Sequence, residues 1–162
     1  MKTGKKTVLR AVLCVLVLFA LINIGWYVWR TARYGPYTKG MEKNEISTWI
    51  VPRYKYSDAD GFDYGVKYPD YLSFTGNMSV GLPATDENPF TDFLIIWPEP
   101  FRGYTYGAAL TVDEEPYQIY INADGSAVDP GDSEVVTRCQ ETINVLLSRA
   151  EEMWDLEDHV WN

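Results

Sequence analysis

Residues 11–29 have the sequence AVLCVLVLFALINIGWYVW, in which no side chain is charged. An α-helix rises about 1.5 Å per residue, so 19 residues form a helix of about 28 Å, which is close to the hydrocarbon thickness of a bilayer. Arg10 lies immediately before this stretch, and Arg30 and Arg33 follow it. The sequence therefore predicts a transmembrane helix, with residues 11–33 as the span and its flank.

The charges are divided sharply along the chain. Residues 1–33 carry six basic side chains and no acidic one, whereas residues 34–162 carry eight basic and all 23 acidic side chains, a net charge of −15. Basic residues flanking a membrane span favour the cytoplasmic side. We therefore expect a single-pass protein of the cell membrane, with residues 1–10 as a basic cytoplasmic N-terminus and the acidic part extracytoplasmic.

A cleaved secretory signal peptide is the alternative to this membrane anchor. Signal peptidase requires small residues at positions −3 and −1, and the pairs Asn23/Gly25 and Arg30/Ala32 do not supply them. An uncleaved signal-anchor is therefore the preferred interpretation. Three aromatic side chains near the end of the span, Trp26, Tyr27 and Trp29, are predicted to lie at the outer membrane interface.

The acidic part of the chain excludes some classes of partner and cofactor. Binding to nucleic acid requires a positive face, which a net charge of −15 does not offer. The two cysteines, Cys14 and Cys139, lie far apart in the sequence, so neither a disulfide framework nor a zinc cluster is expected. The expected partners are the membrane and another membrane or envelope protein.

Beyond the span, residues 34–46 contain two glycines and a proline and are predicted to be a stalk. Residues 47–162 are predicted to be one extracytoplasmic domain. Segments rich in β-forming residues alternate there with turn-forming clusters, and they predict strands within 47–56, 71–74, 78–82, 91–97, 104–112, 116–122 and, more briefly, 126–128. The uninterrupted apolar run at 93–97 predicts a central strand that is covered on both faces.

The C-terminal part is predicted to be helical. Asp129 and Pro130 form a typical helix start, and apolar residues then recur at steps of three and four from Val135 to Trp154. The predicted fold class is α+β: one N-terminal transmembrane helix, then an antiparallel β-meander of about five or six strands packed against one long amphipathic C-terminal helix.

No catalytic motif is recognisable, so the protein is predicted not to be an enzyme. His159 and Cys139 would lie about 30 Å apart on a straight helix, which rules out a dyad, and Cys139 is expected to be a small buried hydrophobic residue. A less favoured alternative is a carboxylate-based glycan hydrolase, in which Glu99 would act together with Asp92 or Glu114.

Two clusters suggest a binding function. Asp58, Asp60 and Asp63 surround a glycine turn and are candidate Ca²⁺ ligands, although they match an EF-hand loop only in part. No other cofactor is expected.

The second cluster consists of tyrosines, which offer a large contact area with only two side-chain torsions to order. Tyr54 and Tyr56 share one face of a predicted strand, Tyr104 and Tyr106 share a face of another, and Tyr120 lies on a third strand. The favoured function is therefore a non-enzymatic protein-interaction or accessory module of a membrane or envelope assembly. The alternative is a cell-surface module that binds a glycan or Ca²⁺.

Overall fold

The computed structural model describes residues 2–84, 92–100 and 103–156. The chain divides into two compact units, Met1–Pro36 and Tyr37–Asn162. The first unit contains helix α1, and the second unit contains all the strands that the described residues form.

Helix α1 spans Lys2–Tyr34, and its segment Lys6–Tyr34 is long and apolar enough to cross a membrane. This confirms the apolar helix that residues 11–33 predict. The amide of Asn23 donates a hydrogen bond to the carbonyl oxygen of Phe19, one turn earlier, at 2.8 Å. This polar side chain is therefore satisfied within its own helix, which lowers the cost of placing it in an apolar segment.

The second unit contains one antiparallel sheet whose strands are ordered as they occur in the chain, β1-β2-β3-β4-β5-β6-β7. The strands are β1 (Glu42–Lys43), β2 (Arg53–Ser57), β3 (Asp63–Lys67), β4 (Asn77–Gly81), β5 (Phe93–Pro98), β6 (Tyr104–Val112) and β7 (Glu115–Ile121). The predicted α+β meander is confirmed, and the described residues form seven strands rather than five or six.

The prediction of strands was wrong in four places. Residues 47–52, predicted as the first half of a strand that reaches Tyr56, lie in the loop before β2. Residues 71–74 lie in a loop, where Leu72 has a left-handed φ of 56°. The composition of residues 57–65 predicts a turn, but strand β3 already begins at Asp63. The actual turn is shorter, because it is closed by a hydrogen bond from Asp58 N to the carbonyl oxygen of Phe62. Strand β1 lies within the predicted stalk and pairs with β2, with Glu42 opposite Lys55.

The predicted C-terminal helix is divided in two. A 3-10 turn at Pro130–Asp132 follows Asp129, whose carboxylate accepts a hydrogen bond from Gly131 N at 2.8 Å, as the predicted helix start requires. Helix α2 (Ser133–Arg138) and helix α3 (Gln140–Trp154) follow. Cys139, with φ −104° and ψ 13°, breaks the helix between them.

Helix α3 packs on one face of the sheet, over β4 and β5. Its buried side chains are Ile143, Leu146, Ala150 and Trp154, and the buried sheet residues beneath include Met78, Val80, Leu94 and Ile96. Full burial of such a side chain contributes about 1.5–3 kcal/mol, so this layer is the main source of stability. This face of the sheet is called the α3 face below.

Strand β5 is a central strand, as predicted, because it pairs with both β4 and β6. Coverage on both of its faces is not observed. Leu94 and Ile96 are fully buried, whereas Phe93, Ile95 and Trp97 on the opposite face remain partly exposed. The apolar run therefore reflects a buried face and a second apolar face that is accessible in part.

Candidate functional site

The face of the sheet opposite α3, called the distal face, carries a continuous row of residues in register. The row crosses six strands and consists of Lys55, Gly65, Ser79, Ile95, Gly107 and Tyr120. Phe93 and Trp97 flank Ile95 on the same side of β5. The distal face therefore combines an aromatic and aliphatic half with a half that is rich in glycine and polar residues.

The aromatic half is organised around Gly107. A Cβ atom at this position would lie only 2.8 and 2.9 Å from two ring atoms of Trp97, so the indole can occupy this place only because residue 107 is glycine. The rings of Trp97 and Tyr120 lie 6.0 Å apart with an interplanar angle of 44°. Tyr120 is 58% exposed, so the pair presents aromatic surface to solvent.

The other half forms an open groove of about 420 Å³. Its floor includes Gly65 and Gly81, and a Cβ atom at Gly65 would lie 2.7 Å from the Ser79 hydroxyl oxygen. Polar side chains of Lys55, Asp63, Asn77 and Ser79 surround the floor, with Phe93 and Ile95 on the remaining side. Glycine thus keeps this groove open between polar groups and an apolar wall.

The five candidate tyrosines do not form one surface. Tyr54 pairs with Val66 across the sheet and Tyr106 pairs with Ile96, which places both on the α3 face. Tyr56 and Tyr104 lie on the same face, two residues from these positions. Only Tyr120 belongs to the distal face.

The tyrosines of the α3 face contact other aromatic residues within the domain. The ring of Tyr54 lies 5.6 Å from that of Tyr68, and the ring of Tyr56 lies 5.9 Å from that of Tyr64. The hydroxyl groups of Tyr104 and Tyr37 are hydrogen-bonded at 3.0 Å.

Tyr106 lies beside a second cavity, of about 480 Å³, which Leu147, Ser148 and Glu151 of α3 also line. Burial, and then the charge of Glu151, raise the pKa of Tyr106. A phenol is already protonated at neutral pH, and the raised pKa of Tyr106 extends this hydrogen-bond-donating form to more alkaline pH.

The aspartate turn forms a hydrogen-bonded link to α3. Asp58 accepts hydrogen bonds from Asp60 N and Phe62 N, each at 2.9 Å, and from the Tyr64 hydroxyl at 3.0 Å. Arg149 of α3 donates to Asp60 at 2.6 Å, and its guanidinium lies 4.5 Å from the centre of the Phe62 ring.

These contacts change two pKa values. Burial acts to raise the pKa of Asp58, but its hydrogen bonds and the charge of Arg149 outweigh burial, so the pKa is lowered. Burial and the hydrogen bond to Asp58 raise the pKa of Tyr64 to about 12. The carboxylate form of Asp58 and the phenol form of Tyr64 therefore stabilise each other.

Donors from the protein also bind several of the oxygens that Ca²⁺ would need. Asp58 accepts three hydrogen bonds, Asp60 pairs with Arg149, and Asp63 accepts a hydrogen bond from the Ser57 hydroxyl. Within residues 2–84, 92–100 and 103–156, no group of three or more His, Cys, Asp or Glu side chains is placed to hold a metal ion. The turn connects β2 and β3 to α3, a role that the sequence did not reveal because Arg149 is 89 residues from Asp60.

The carboxylate pairs considered for hydrolysis are not formed. Glu99 accepts a hydrogen bond from the Thr105 hydroxyl at 2.9 Å, and Asp92 accepts one from Thr111 N at 2.8 Å. These acids flank opposite ends of β5, and seven steps of about 3.3 Å per residue separate them by about 23 Å, whereas glycosidase carboxyl pairs lie about 5–9.5 Å apart. Glu114, in the β6–β7 turn, lies at the Asp92 end.

Cys139 lies at the break between α2 and α3 and is partly buried. Burial, followed by the charge of Asp92, raises the pKa of its thiol, so it is mainly the unreactive thiol at neutral pH. This is consistent with the expected role as a small hydrophobic residue. His159 lies outside the described residues.

The aromatic residues expected at the membrane interface lie in the C-terminal part of α1. The Arg30 guanidinium stacks over the ring of Trp26, 4.3 Å from its centre, and also lies 5.1 Å from the centre of the Tyr27 ring. Trp29 makes an edge-on contact with Tyr34 at 6.5 Å. These contacts combine aromatic rings with a cation, a combination suited to the headgroup layer of a membrane.

Comparison of the chain with protein-family models, with curated proteins and with solved structures finds no match. The geometry of the described residues is therefore the basis for the function proposed below.

Proposed function

We propose that this chain is a single-pass membrane protein whose extracytoplasmic domain binds another membrane or envelope protein through the distal face. In this proposal α1 crosses the cell membrane with residues 1–10 in the cytoplasm, and Trp26, Tyr27 and Trp29 lie at the outer interface. The observation that carries the proposal is the accessible aromatic pair of Trp97 and Tyr120, next to Ile95.

The chemistry of the distal face suits a protein partner. Partly exposed aromatic and aliphatic side chains on a sheet lose unfavourable contact with water when a second protein covers them. Aromatic residues of this kind commonly supply most of the binding energy of an interface. The domain has a large negative charge, so the partner is expected to present a basic rim around an apolar patch.

Tethering would strengthen such an interaction. A domain and a partner that are held in one membrane meet at a high effective concentration, so a modest interface is sufficient for association. The proposed role is therefore that of an accessory or interaction module that works beside a membrane-bound partner and does not catalyse a reaction.

The proposed topology can be tested by cysteine labelling in intact cells. Ala59 is exposed in the β2–β3 turn, and Ala59→Cys in a Cys139→Ser background introduces an accessible thiol. A membrane-impermeant maleimide should label this variant in intact cells and should not label the parent without Ala59→Cys. Labelling only after permeabilisation would place the domain in the cytoplasm and contradict the proposal.

The proposed binding face can be tested with a matched pair of variants on β7. Tyr120→Lys places a charge on the distal face, and Tyr117→Lys places the same charge on the other face of the same strand, where Tyr117 is 39% exposed. Loss of an aromatic hot spot costs about 2 kcal/mol or more, which is a factor of about 30 in affinity. Co-purification of a partner from solubilised native membranes should therefore be lost with Tyr120→Lys and retained with Tyr117→Lys.

A second candidate function, glycan binding, is favoured by the groove between Lys55, Asp63, Asn77 and Phe93. Polar groups beside an aromatic ring match the hydroxyl groups and the apolar ring face of a sugar. Cell-wall glycan fragments should then raise the melting temperature of the full chain. Gly65→Ala, which narrows the groove, should abolish that shift, and a shift that persists would place the glycan elsewhere.

A further inference from the structure

Six large apolar side chains in two loops of the domain are exposed to solvent. They are Ile46, Trp49 and Ile50 in the loop of residues 44–52, and Tyr71, Leu72 and Phe74 in the loop of residues 68–76. Trp49 is 82% exposed and Phe74 is 54% exposed. A concentration of large exposed apolar side chains in neighbouring loops often marks an interaction site.

The two loops lie side by side at one end of the sheet. Arg53, the first residue of β2, pairs with Lys67, the last residue of β3, and Tyr68 N donates to the carbonyl oxygen of Pro52 at 3.0 Å. The β2–β3 turn, which contains Ala59, is at the opposite end of these strands. The loops of residues 44–52 and 68–76 therefore form one surface, called the loop surface below.

Hydrogen bonds define the shape of the loop surface. The Thr48 hydroxyl accepts a hydrogen bond from Val51 N at 2.9 Å, and the Ser47 hydroxyl accepts one from Arg53 N at 3.0 Å. In the other loop, Ser73 N donates to the carbonyl oxygen of Asp70 at 2.8 Å. The exposed apolar side chains thus lie on loops whose conformation is stabilised by hydrogen bonds from backbone and hydroxyl groups of the same loops.

The charges around the loop surface nearly cancel, unlike those of the domain as a whole. Lys67 and Asp70 form an ion pair at 2.9 Å, and the only other charged residues within 44–53 and 67–76 are Glu45 and Arg53. A neutral surface with projecting Trp, Tyr, Phe, Ile and Leu side chains has the composition of protein segments that enter the headgroup layer of a membrane.

The segment that joins α1 to the first strand is short. Only residues 35–41 separate the end of α1 from β1, and seven residues span at most about 25 Å. The Tyr37 hydroxyl is hydrogen-bonded to the hydroxyl of Tyr104, the first residue of β6. Tyr104 pairs with Pro98 of β5, and both residues lie at the same end of the sheet as the loop surface. The chain therefore enters the domain at the end that carries the exposed apolar side chains.

We propose that the loop surface binds the lipid headgroup layer of the membrane that α1 crosses. Insertion of Trp49 and Phe74 would remove apolar surface from water and would fix the orientation of the domain on the membrane. This second contact requires only the anchor, and it is independent of the partner proposed for the distal face. Both proposals rest on α1 crossing the membrane, and beyond that shared requirement the failure of either contact would leave the other intact.

Depth measurements with spin labels test this proposal on the full chain in phosphatidylcholine nanodiscs. The labels are attached in a Cys14→Ala, Cys139→Ser background at Glu45→Cys and Thr75→Cys, which leave all six apolar side chains in place. Ala59→Cys, at the opposite end of the sheet, is the matched control. The ratio of collisions with oxygen to collisions with a water-soluble nickel chelate should be at least about threefold higher at residues 45 and 75 than at residue 59.

A second variant shows whether the apolar side chains cause the effect. Adding Trp49→Ser and Phe74→Ser should lower the ratio at residue 75 to that of residue 59, while far-UV circular dichroism confirms that the fold is retained. Equal ratios at residues 59 and 75 in the parent would overturn the proposal. A label at residue 75 that is shielded from both reagents would indicate a protein contact and would also overturn it.

Discussion

Replacement of Gly107 by alanine perturbs the distal face at the point where the indole ring of Trp97 lies over β6. The added methyl group would lie 2.8 Å from the nearest indole carbon, whereas carbon atoms in contact prefer about 3.5–4.0 Å, so the ring must move by about 0.7 Å or more. Overpacking of this kind costs about 1–3 kcal/mol. Alanine in a strand recovers about 0.5–1 kcal/mol relative to glycine, so the expected net loss is about 0–2.5 kcal/mol, with a centre near 1 kcal/mol.

The assay is denaturation of the detergent-solubilised full chain, with near-UV circular dichroism as a second signal. Gly107→Ala should lower the free energy of unfolding and alter the near-UV signal, because the contact between Trp97 and Tyr120 is disturbed. Trp97→Leu should relieve the clash, so the double variant should be more stable than the sum of the two single changes implies. A Gly107→Ala variant with unchanged stability and an unchanged near-UV spectrum would refute the packing described for the distal face.

Three further predictions concern the stability of the domain. Leu146→Ala, which empties a fully buried position on α3, should cost about 2–5 kcal/mol in denaturant unfolding, whereas Val145→Ala on the exposed side should cost less than about 0.5 kcal/mol. Because the pKa of Asp58 is lowered in the folded domain, its stabilising contribution is complete above about pH 4 and is lost as the pH falls through the lowered value. Asp58→Asn should therefore make the melting temperature fall less steeply as the pH is lowered. An unchanged dependence on pH would show that other groups cause the loss of stability in acid. Glu114 has a φ of 68°, so Glu114→Gly should stabilise the β6–β7 hairpin by about 0.5–1 kcal/mol, and a lower melting temperature would contradict this.

Elements that local rules determine were predictable from the sequence. The apolar length of residues 11–29 determines α1, and β6 has the predicted bounds of Tyr104–Val112. The β6–β7 hairpin turns at Asp113 and Glu114, whose φ values of 53° and 68° match the two-residue turns that favour such hairpins. Asp129 begins the helical segment as its sequence context predicts.

Elements that depend on distant residues were not predictable. Strand β3 contains Asp63 and Gly65, which are poor strand formers, and its pairing with β2 and β4 overrides their local preference. The break at Cys139 divides a helix whose apolar periodicity is continuous.

The candidate site was predictable only in part. Tyr120 was identified from composition, but its contact with Trp97 over Gly107 depends on the register of three strands. The glycine within an otherwise alternating strand, at position 107, was the available signal, since such a glycine often marks a close approach by a neighbour.

Site-specific photo-crosslinking in native membranes tests the proposed partner contact most directly. A photoreactive phenylalanine analogue replaces Tyr120 on the distal face or, in a matched chain, Tyr117 on the α3 face of the same strand. We expect illumination to join the Tyr120 position to one membrane or envelope protein, with no such product from the Tyr117 position. Equal products from both positions, or none from Tyr120 in membranes that contain the folded chain, would contradict the assignment of the distal face as the binding surface.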